Sequence, residues 1–440
     1  MKVIDFKNAS CKHCYKCVRS CSVKAIKVKD AQATIMDDHC VLCGTCLEVC
    51  PQNAKTFVSD LEKVKAFITM GEKTIVSLAP AYLGIFDYDK PGQVVDALLR
   101  LGFSEVRETA EGAAYVTEAY TRLLAEGQMK NIISTCCPSV NELVEKYYPE
   151  LVEYMAPVVS PMIAHGKLIK SMYGPDVKVV FVGPCIAKKQ EAEGDDRTTG
   201  FVDAVLNFEE IESWLQERDI SIRECEEKQP TNPDPKVNRL YPVTSGVISS
   251  VLAKKKVDSY KKIFVDGIED CREVFEDMKK GLIENCFIEA NMCEGGCVKG
   301  PAVNKLHISK YKATMVIEEQ VEKQDPAYPQ LAGNIDINKH FRSERIQDEM
   351  PTEEQITRIL KATGKYNKTQ ELNCGACGYP TCRDKAIAVF QGKAEQEMCL
   401  PHVYEKARSM SNVVLEATPE IILIVDSAFQ IIEFNKRAED

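Results

Sequence analysis

The chain has 440 residues, and 56 Lys and Arg against 66 Asp and Glu give a formal net charge of −10. That length suggests about three domains, and the acidic balance argues against nonspecific nucleic-acid binding. The longest apolar runs, such as Val177–Val182 and Ile421–Val425, are strand-sized, far short of the ~20 residues of a spanning helix. The opening MKVIDFKNASCKHC has no apolar signal core, so the expectation is a cytoplasmic protein with no membrane span and no nucleic-acid partner. In a reducing compartment, the close spacing of many of the 20 cysteines points to metal rather than to a disulfide scaffold.

Residues 1–60 carry C-x2-C-x2-C-x3-C twice, as Cys11, Cys14, Cys17, Cys21 and as Cys40, Cys43, Cys46, Cys50; Pro51 follows the second run and Ser22 the first. The tandem spacing resembles the bacterial two-cluster ferredoxins. In that arrangement three close thiolates take three irons of a cubane and the fourth reaches across to the other cluster. Cys11, Cys14, Cys17 and Cys50 are thus assigned to one [4Fe-4S] cluster, and Cys40, Cys43, Cys46 and Cys21 to a second. Zinc is the alternative metal; structural zinc sites normally use two separated ligand pairs, not four cysteines this dense.

Residues 70–310 alternate short apolar runs (Thr74–Pro80, Asn131–Cys137, Lys178–Cys185, Cys286–Cys293) with amphipathic segments such as VVDALLRLG and FEEIESWLQE. This predicts an α/β domain with a mostly parallel sheet. Ligand sites in such sheets lie beyond the carboxyl ends of the strands, where three of these runs end in cysteine.

The residues around those cysteines carry a second resemblance. S-T-C-C-P at 134–138, P-C-I-A-K-K-Q-E at 184–191 and E-A-N-M-C-E-G-G-C at 289–297 are similar to the three signature loops of the [FeFe] hydrogenases, and Ala79–Ala81 and Thr244–Val247 to further segments. With the ferredoxin region the resemblance covers residues 1–302. It implies an H-cluster, a [4Fe-4S] cubane joined through a cysteine sulfur to a diiron unit bearing CO, cyanide and a bridging azadithiolate. Cys137, Cys185, Cys293 and Cys297 would hold the cubane, with Cys297 bridging to the diiron unit. Pro80 and Ala81 would line the cofactor, Lys188 would hydrogen-bond a cyanide, and Cys136 would be the proton-donating thiol. A solvated surface lysine is the bland alternative for Lys188.

Gly183 and Asn291 stand where the family usually carries methionines, which is expected to leave space and polarity beside the diiron unit. The usual proton-path serine falls at Ala156, whose methyl cannot relay a proton, and the helix reading YVTEAYTRLL offers only Glu118. Slow turnover is expected.

Residues 311–350 read as a charged connecting segment. In 351–400, Thr352 is the expected N-cap of a helix, and Cys374, Cys377, Cys382 and Cys399 follow the spacing C-x2-C-x4-C-x16-C. It resembles the small four-cysteine iron–sulfur domain of corrinoid iron–sulfur proteins and membrane electron-transport complexes. A third accessory [4Fe-4S] cluster is assigned there, with zinc again the alternative. Val403, Ala407, Met410, Val414 and Ala417 form a short heptad seam in a linker helix, 401–416; packing on its own domain is the alternative. Residues 417–440 predict two strands around a turn at Asp426–Phe429 and resemble the start of a PAS domain, truncated here, since a whole one needs about another hundred residues.

The reading is a sensory [FeFe] hydrogenase that oxidises H2 slowly and relays redox state through [4Fe-4S] clusters to a PAS-linked output. The implied partners are H2 and protons, a redox partner such as ferredoxin, maturation proteins, a downstream signalling domain or protein, and a second copy paired through the linker helix or PAS segment. The rivals are an ordinary H2-evolving hydrogenase and an electron-transfer or assembly protein lacking the diiron unit. Cys225, Cys271 and Cys286 are expected to be buried small hydrophobes.

Overall fold

In the computed structural model the described residues are all but 1, 7–9, 31, 257–258, 304–305, 307, 323–327, 330, 332 and 439–440, and in the C-terminal helix the side chains of 411, 412, 414 and 416 are also outside the description. The chain forms two compact units, Met1–Ser10 with Ile35–Gln347, and Cys11–Thr34 with Asp348–Asp440.

The first unit is built on two parallel sheets. One has four strands in the order Glu105–Glu108, Thr74–Leu78, Lys178–Gly183, Ala204–Asn207. The other has three, in the order Lys261–Asp266, Cys286–Asn291, Ile132–Ile133. TIVSL and CFIEAN are buried along their whole length. Helices cover both faces of such sheets, so their strands are continuous apolar runs rather than alternating ones. Trp214, on the helix Phe208–Glu217, stacks edge-on against Phe103 at 5.7 Å in the core. Helix Ala110–Glu126 packs on helix Pro161–Tyr173, and Gly112 makes the approach possible: a Cβ there would lie 2.7 Å from the Cβ of His165.

The region expected to be a charged connecting segment has structure of its own. Helix Lys310–Glu322 buries Ala313 and Ile317 in this unit's core. Further on, Val159 N–H donates to Ile337 O at 2.9 Å, and Lys339 Nζ reaches Asp195 at 2.8 Å. The charge run is the solvated side of elements whose few apolar residues are anchored, which composition alone does not reveal.

In the second unit, the strands Ile26–Lys29 and Gln32–Ile35 form a small sheet. Helix Glu353–Ala362 starts at a reciprocal cap, Gln355 N–H to Thr352 Oγ1 at 3.3 Å and Thr352 N–H to Gln355 Oε1 at 2.7 Å, which satisfies two donors the helix start leaves open. It packs through Ile356 and Leu360 on Ala386 of helix Cys382–Phe390. Helix Leu400–Ala417 follows with no break after Cys399. Val403 and Met410 of the expected heptad seam are exposed; the Val414 side chain lies outside the described residues. The strands Leu423–Val425 and Ile431–Phe434 pair antiparallel, with Asp426 Oδ1 accepting from Ala428 and Gln430 N–H across the turn.

Candidate active site

Four strand ends of the first unit meet around one cavity. Thr74–Leu78 delivers Ala79, Pro80 and Ala81; Ile132–Ile133 delivers Cys136 and Cys137; Lys178–Gly183 delivers Pro184 and Cys185; and Cys286–Asn291 leads to Cys293 and Cys297. The cavity holds about 90 Å³ and is lined by Pro80, Ala81, Cys136, Cys137, Cys185, Lys188, Asn291 and Cys297 among others. One water needs ~10–15 Å³, so there is room for a group of many atoms.

Cys293 is not on the cavity wall. It lies close enough to Cys297, Cys185 and Cys137 for their charges to act on it. Burial pushes every one of these thiols up, Cys185 to about 11. A buried thiolate needs a cation to offset its desolvation, and Cys137, Cys185 and Cys297 on one void with Cys293 beside them suit a cationic iron–sulfur core.

Lys188 is buried, on a short helical turn, Ala187–Lys189, that runs into the π-helical turn Gln190–Gly194. Its Nζ donates to Glu191 Oε2 at 2.7 Å and to Cys136 O at 3.2 Å. Burial opposes the charge, but Glu191 and the thiols of Cys185 and Cys136 outweigh it, and the ammonium is held above its ordinary range. Lys188 is therefore not a solvated surface lysine.

The Cys136 thiol, pushed up to about 12 mainly by burial, meets the Tyr120 hydroxyl at 3.3 Å. Tyr120 stands in the segment read for acidic relay residues; its hydroxyl, not a carboxylate, reaches the thiol. Glu118 instead pairs with Lys254, and its side chain is 45% exposed. Ala156 is fully buried and contributes its carbonyl to the Thr135 hydroxyl at 3.2 Å.

One expectation is corrected. Gly183 does not leave space: a Cβ there would lie 2.6 Å from the ring of Phe181, which lines the cavity. Met162, from the start of helix Pro161–Tyr173, also lines it. Asn291 does bring polarity, lining the cavity with its Nδ2 3.3 Å from Glu289 Oε1. Sequence reasoning missed Phe181, Met162, Thr109 and Tyr241 on the wall; they read as core residues and sit in none of the cysteine loops.

The Cys40 loop sits on the helix that follows Cys137, Pro138–Tyr147. Ser139 Oγ donates to Leu42 O at 3.1 Å, Lys146 Nζ to Cys40 O at 2.9 Å and Tyr147 OH to His39 O at 2.7 Å. Backbone N–H groups of Leu42 and Ala54 point at the sulfurs of Cys40 and Cys50, at 3.3 and 3.4 Å. Such bonds tune cluster potentials.

In the second unit Cys374, Cys377, Cys382 and Cys399 line one cavity with Lys365 and Lys385. Lys365 Nζ lies 3.3 Å from Cys399 Sγ. Lys385 is lowered by burial, against the pull of Cys399 and Cys377. Two buried cations around four thiols fit an anionic thiolate cluster. Cys11, Cys14, Cys17 and Cys21 belong to this unit as well, and their helix, Lys16–Ser20, touches the Cys374 loop. Lys24 Nζ bridges Val18 O at 3.1 Å and Gly378 O at 2.9 Å, and Arg19 reaches Ala376 O at 2.9 Å. Cys225, Cys271 and Cys286 are buried.

The strand-end cavity with its four cysteines, in a chain that carries further cysteine clusters, defines an α/β iron–sulfur protein. Residues 72–301, just over half of the chain, match the model of the iron only hydrogenase large subunit, C-terminal domain. The chain belongs to the iron-only, or [FeFe], hydrogenase family, oxidoreductases acting on hydrogen. Residues 10–54 match a 4Fe-4S dicluster domain and 370–401 a putative Fe-S cluster domain. Iron hydrogenase 1 of Clostridium pasteurianum is 27% identical over 397 residues, covering 65% of this chain and 68% of that protein. The NADP-reducing hydrogenase subunit HndD of Solidesulfovibrio fructosivorans is 24% identical, covering 61% and 56%. The periplasmic [Fe] hydrogenase large subunit of Nitratidesulfovibrio vulgaris is 28% identical, covering 48% and 61%. The chain thus spans between 56% and 68% of the length of these relatives. A variant of the [FeFe]-hydrogenase HydA1 from Chlamydomonas reinhardtii has the same fold, with TM-score 0.52 at 18% identity over 66% of this chain and all of that one. No described helix is long and apolar enough to cross a membrane.

Proposed function

We propose that the chain is a sensory [FeFe] hydrogenase, slow in H2 oxidation, in which an H-cluster is held by Cys137, Cys185, Cys293 and Cys297. The observation that carries the reading is the meeting of the Cys137, Cys185 and Cys297 thiols, with Cys293 beside them, the buried Lys188 and the Cys136 thiol around one cavity. When bound, the H-cluster supplies the chemistry of H2 ⇌ 2H+ + 2e−. The chain supplies the rest. Lys188, kept charged by Glu191, offers a charge-assisted donor to a bound cyanide. The Cys136 thiol exchanges a proton at the cavity wall. Pro80 and Ala81 with Phe181 and Met162 keep the wall apolar and exclude water.

Electrons leave through accessory [4Fe-4S] clusters on Cys40, Cys43, Cys46, Cys21 and on Cys11, Cys14, Cys17, Cys50, and reach a third on Cys374, Cys377, Cys382, Cys399. The seating of the Cys40 loop on the helix after Cys137 supports the first step, and the Lys24 and Arg19 bridges to the Cys374 loop support the last. The slowness is supported by Ala156, by Glu118 facing Lys254, and by Tyr120 beside Cys136, whose phenol burial holds far above its ordinary range. A PAS-like output, pairing of two copies through helix Leu400–Ala417, a ferredoxin-type redox partner and a cytoplasmic location belong to the same proposal.

Infrared spectroscopy of the matured full chain tests it, with H2 turnover and the state of the C-terminal helix followed together. CO and cyanide bands, slow turnover and a hydrogen-dependent change after Cys399 are expected. Fast turnover with no such change would leave an ordinary hydrogenase, and absence of the bands with all cubanes loaded would leave an electron-transfer or assembly protein.

A further inference from the structure

A buried acid–base pair lies behind the cavity wall, outside every cysteine loop. His165 is fully buried on helix Pro161–Tyr173, and its Nε2 is 3.1 Å from Glu111 Oε2. Its Nδ1 is 2.7 Å from Ser77 Oγ, and Ser77 Oγ is 2.8 Å from Thr109 Oγ1. Thr109 lines the cavity. Four polar side chains from a strand, a strand end and two helices thus form one unbroken hydrogen-bonded row from the cavity wall to Glu111. Buried polar groups are costly unless satisfied, and a row of four ending at a cavity is more than packing needs: apolar side chains would fill the same volume without that cost.

Beyond Glu111 the row meets a fixed charge. Arg107, 3% exposed, grips both carboxylate oxygens through its Nε at 3.1 Å and a terminal nitrogen at 2.8 Å. Arg107 does not give up its proton, so it is no carrier; against the cost of burial, it and His165 hold the Glu111 carboxyl below its ordinary range. The Glu111 side chain retains 9% of its surface in solvent. Outward from Arg107, its other terminal nitrogen meets Tyr173 OH, Tyr173 OH donates to Glu105, and Glu105 pairs with the half-exposed Lys73.

We propose that Thr109, Ser77, His165 and Glu111 form a second proton route between the cavity and solvent. The inference rests on the reading of the cavity as the site of H2 chemistry. In the resting row the His165 Nε2–H donates to Glu111, Ser77 O–H donates to His165 Nδ1, and Thr109 O–H donates to Ser77, leaving a Thr109 lone pair toward the cavity. A proton arriving on Thr109 displaces that residue's own proton to Ser77, Ser77's to His165 Nδ1, and the His165 Nε2 proton to Glu111. One proton enters and one reaches the outer end. Glu111, a weak base beside Arg107, releases it to water; the row resets when the hydroxyls rotate back and the His165 ring, left protonated on Nδ1, turns so that this N–H again faces Glu111. Run in reverse, the row carries protons inward. It needs neither the serine missing at 156 nor a carboxylate beside Cys136.

Three full-length variants and one spectroscopic measurement test the route. Thr109→Val keeps shape and removes the hydroxyl; Ser77→Ala cuts the row while leaving His165 paired to Glu111; Thr109→Ser keeps the hydroxyl. In the Cys136→Ala background, where the row carries the remaining protons, H2 turnover is expected to fall at least about a further tenfold in the first two, with CO and cyanide bands unmoved, and to stay within twofold of that background in Thr109→Ser. Undiminished turnover of that background in Thr109→Val, or an equal loss in Thr109→Ser, would overturn the route. Nitrogen-15 NMR of His165 is read before any diiron unit is added, so it decides even if the hydrogenase reading fails for lack of CO and cyanide bands. A neutral ring protonated on Nε2 at pH 7 supports the row; an imidazolium, or the Nδ1–H tautomer, overturns it.

Discussion

The ring of Phe181 occupies the ground that a side chain at Gly183 would need, its Cε1 and Cζ both 2.6 Å from where a Cβ would stand. The two residues lie on the same strand, Lys178–Gly183, two apart and so on one face. A bulky side chain can be supplied to the cavity from 181 or from 183, but not from both. The exchange is one of position, and the wall remains apolar.

Gly183→Met alone should therefore overpack the cavity. Overpacking costs about 1–3 kcal/mol, visible as a lower unfolding midpoint. Phe181→Ala should cost about 3 kcal/mol or more by the opposite route, an unfilled void. Combined, the two should cost clearly less than their sum, because each relieves the other. Additive losses would mean that the two side chains do not compete.

Cys136→Ala should lower H2 turnover by about 10²-fold or more, the range of a general acid–base group. The four cluster thiols and Lys188 are untouched, so CO and cyanide bands should keep their positions. Unchanged turnover would assign the whole proton traffic to other groups at the wall, Thr109 among them.

How far the sequence spoke follows from the kind of signal. The resemblance of three local loops to the hydrogenase signatures is what named Cys137, Cys185, Cys293 and Cys297 as one set. That they could meet followed from the rule that sites lie at the carboxyl ends of parallel strands. Lys188 was legible from the same resemblance of the second loop, though not its grip on Glu191. Phe181, Met162, Tyr241 and Thr109 were not legible: their residue types are those of any core, and only tertiary packing turns them to the cavity. The same holds for 311–350, where Ala313, Ile317 and Ile337 anchor a stretch whose composition is mostly charge. The row behind Thr109 was silent because Ser77, Glu111 and His165 are far apart in sequence and follow no motif.

Lys365→Gln should lower the reduction potential of the cluster at Cys374, Cys377, Cys382 and Cys399. The ammonium stands 3.3 Å from Cys399 Sγ and is nearly buried. Its positive charge favours the more negative, reduced state. At an effective dielectric of about 20 and ~5 Å the interaction is on the order of 3 kcal/mol, which corresponds to a shift on the order of 100 mV for one electron. A redox titration followed by electron paramagnetic resonance measures it. A shift upward, or none, would show that this lysine does not face the cluster.

Reduction of that cluster should also tighten the helix Leu400–Ala417. Cys399 is both the proposed ligand and the residue that caps the helix N-terminus, and its own side chain accepts no hydrogen bond from the first turn. The first N–H groups of a helix carry a net positive partial charge, and an added negative charge beside them stabilises the helix by about 0.3–1 kcal/mol. Through Boltzmann weighting this slows amide exchange in the first turns by a factor of about two to five. Hydrogen-exchange mass spectrometry of the full-length protein, with and without H2, reads that change over residues 400–410. The effect should be absent in Cys399→Ala, which removes both the ligand and the coupling. Equal exchange in the two redox states of the parent would mean that the cluster's charge does not reach the helix, and the step from redox state to output would have to lie elsewhere.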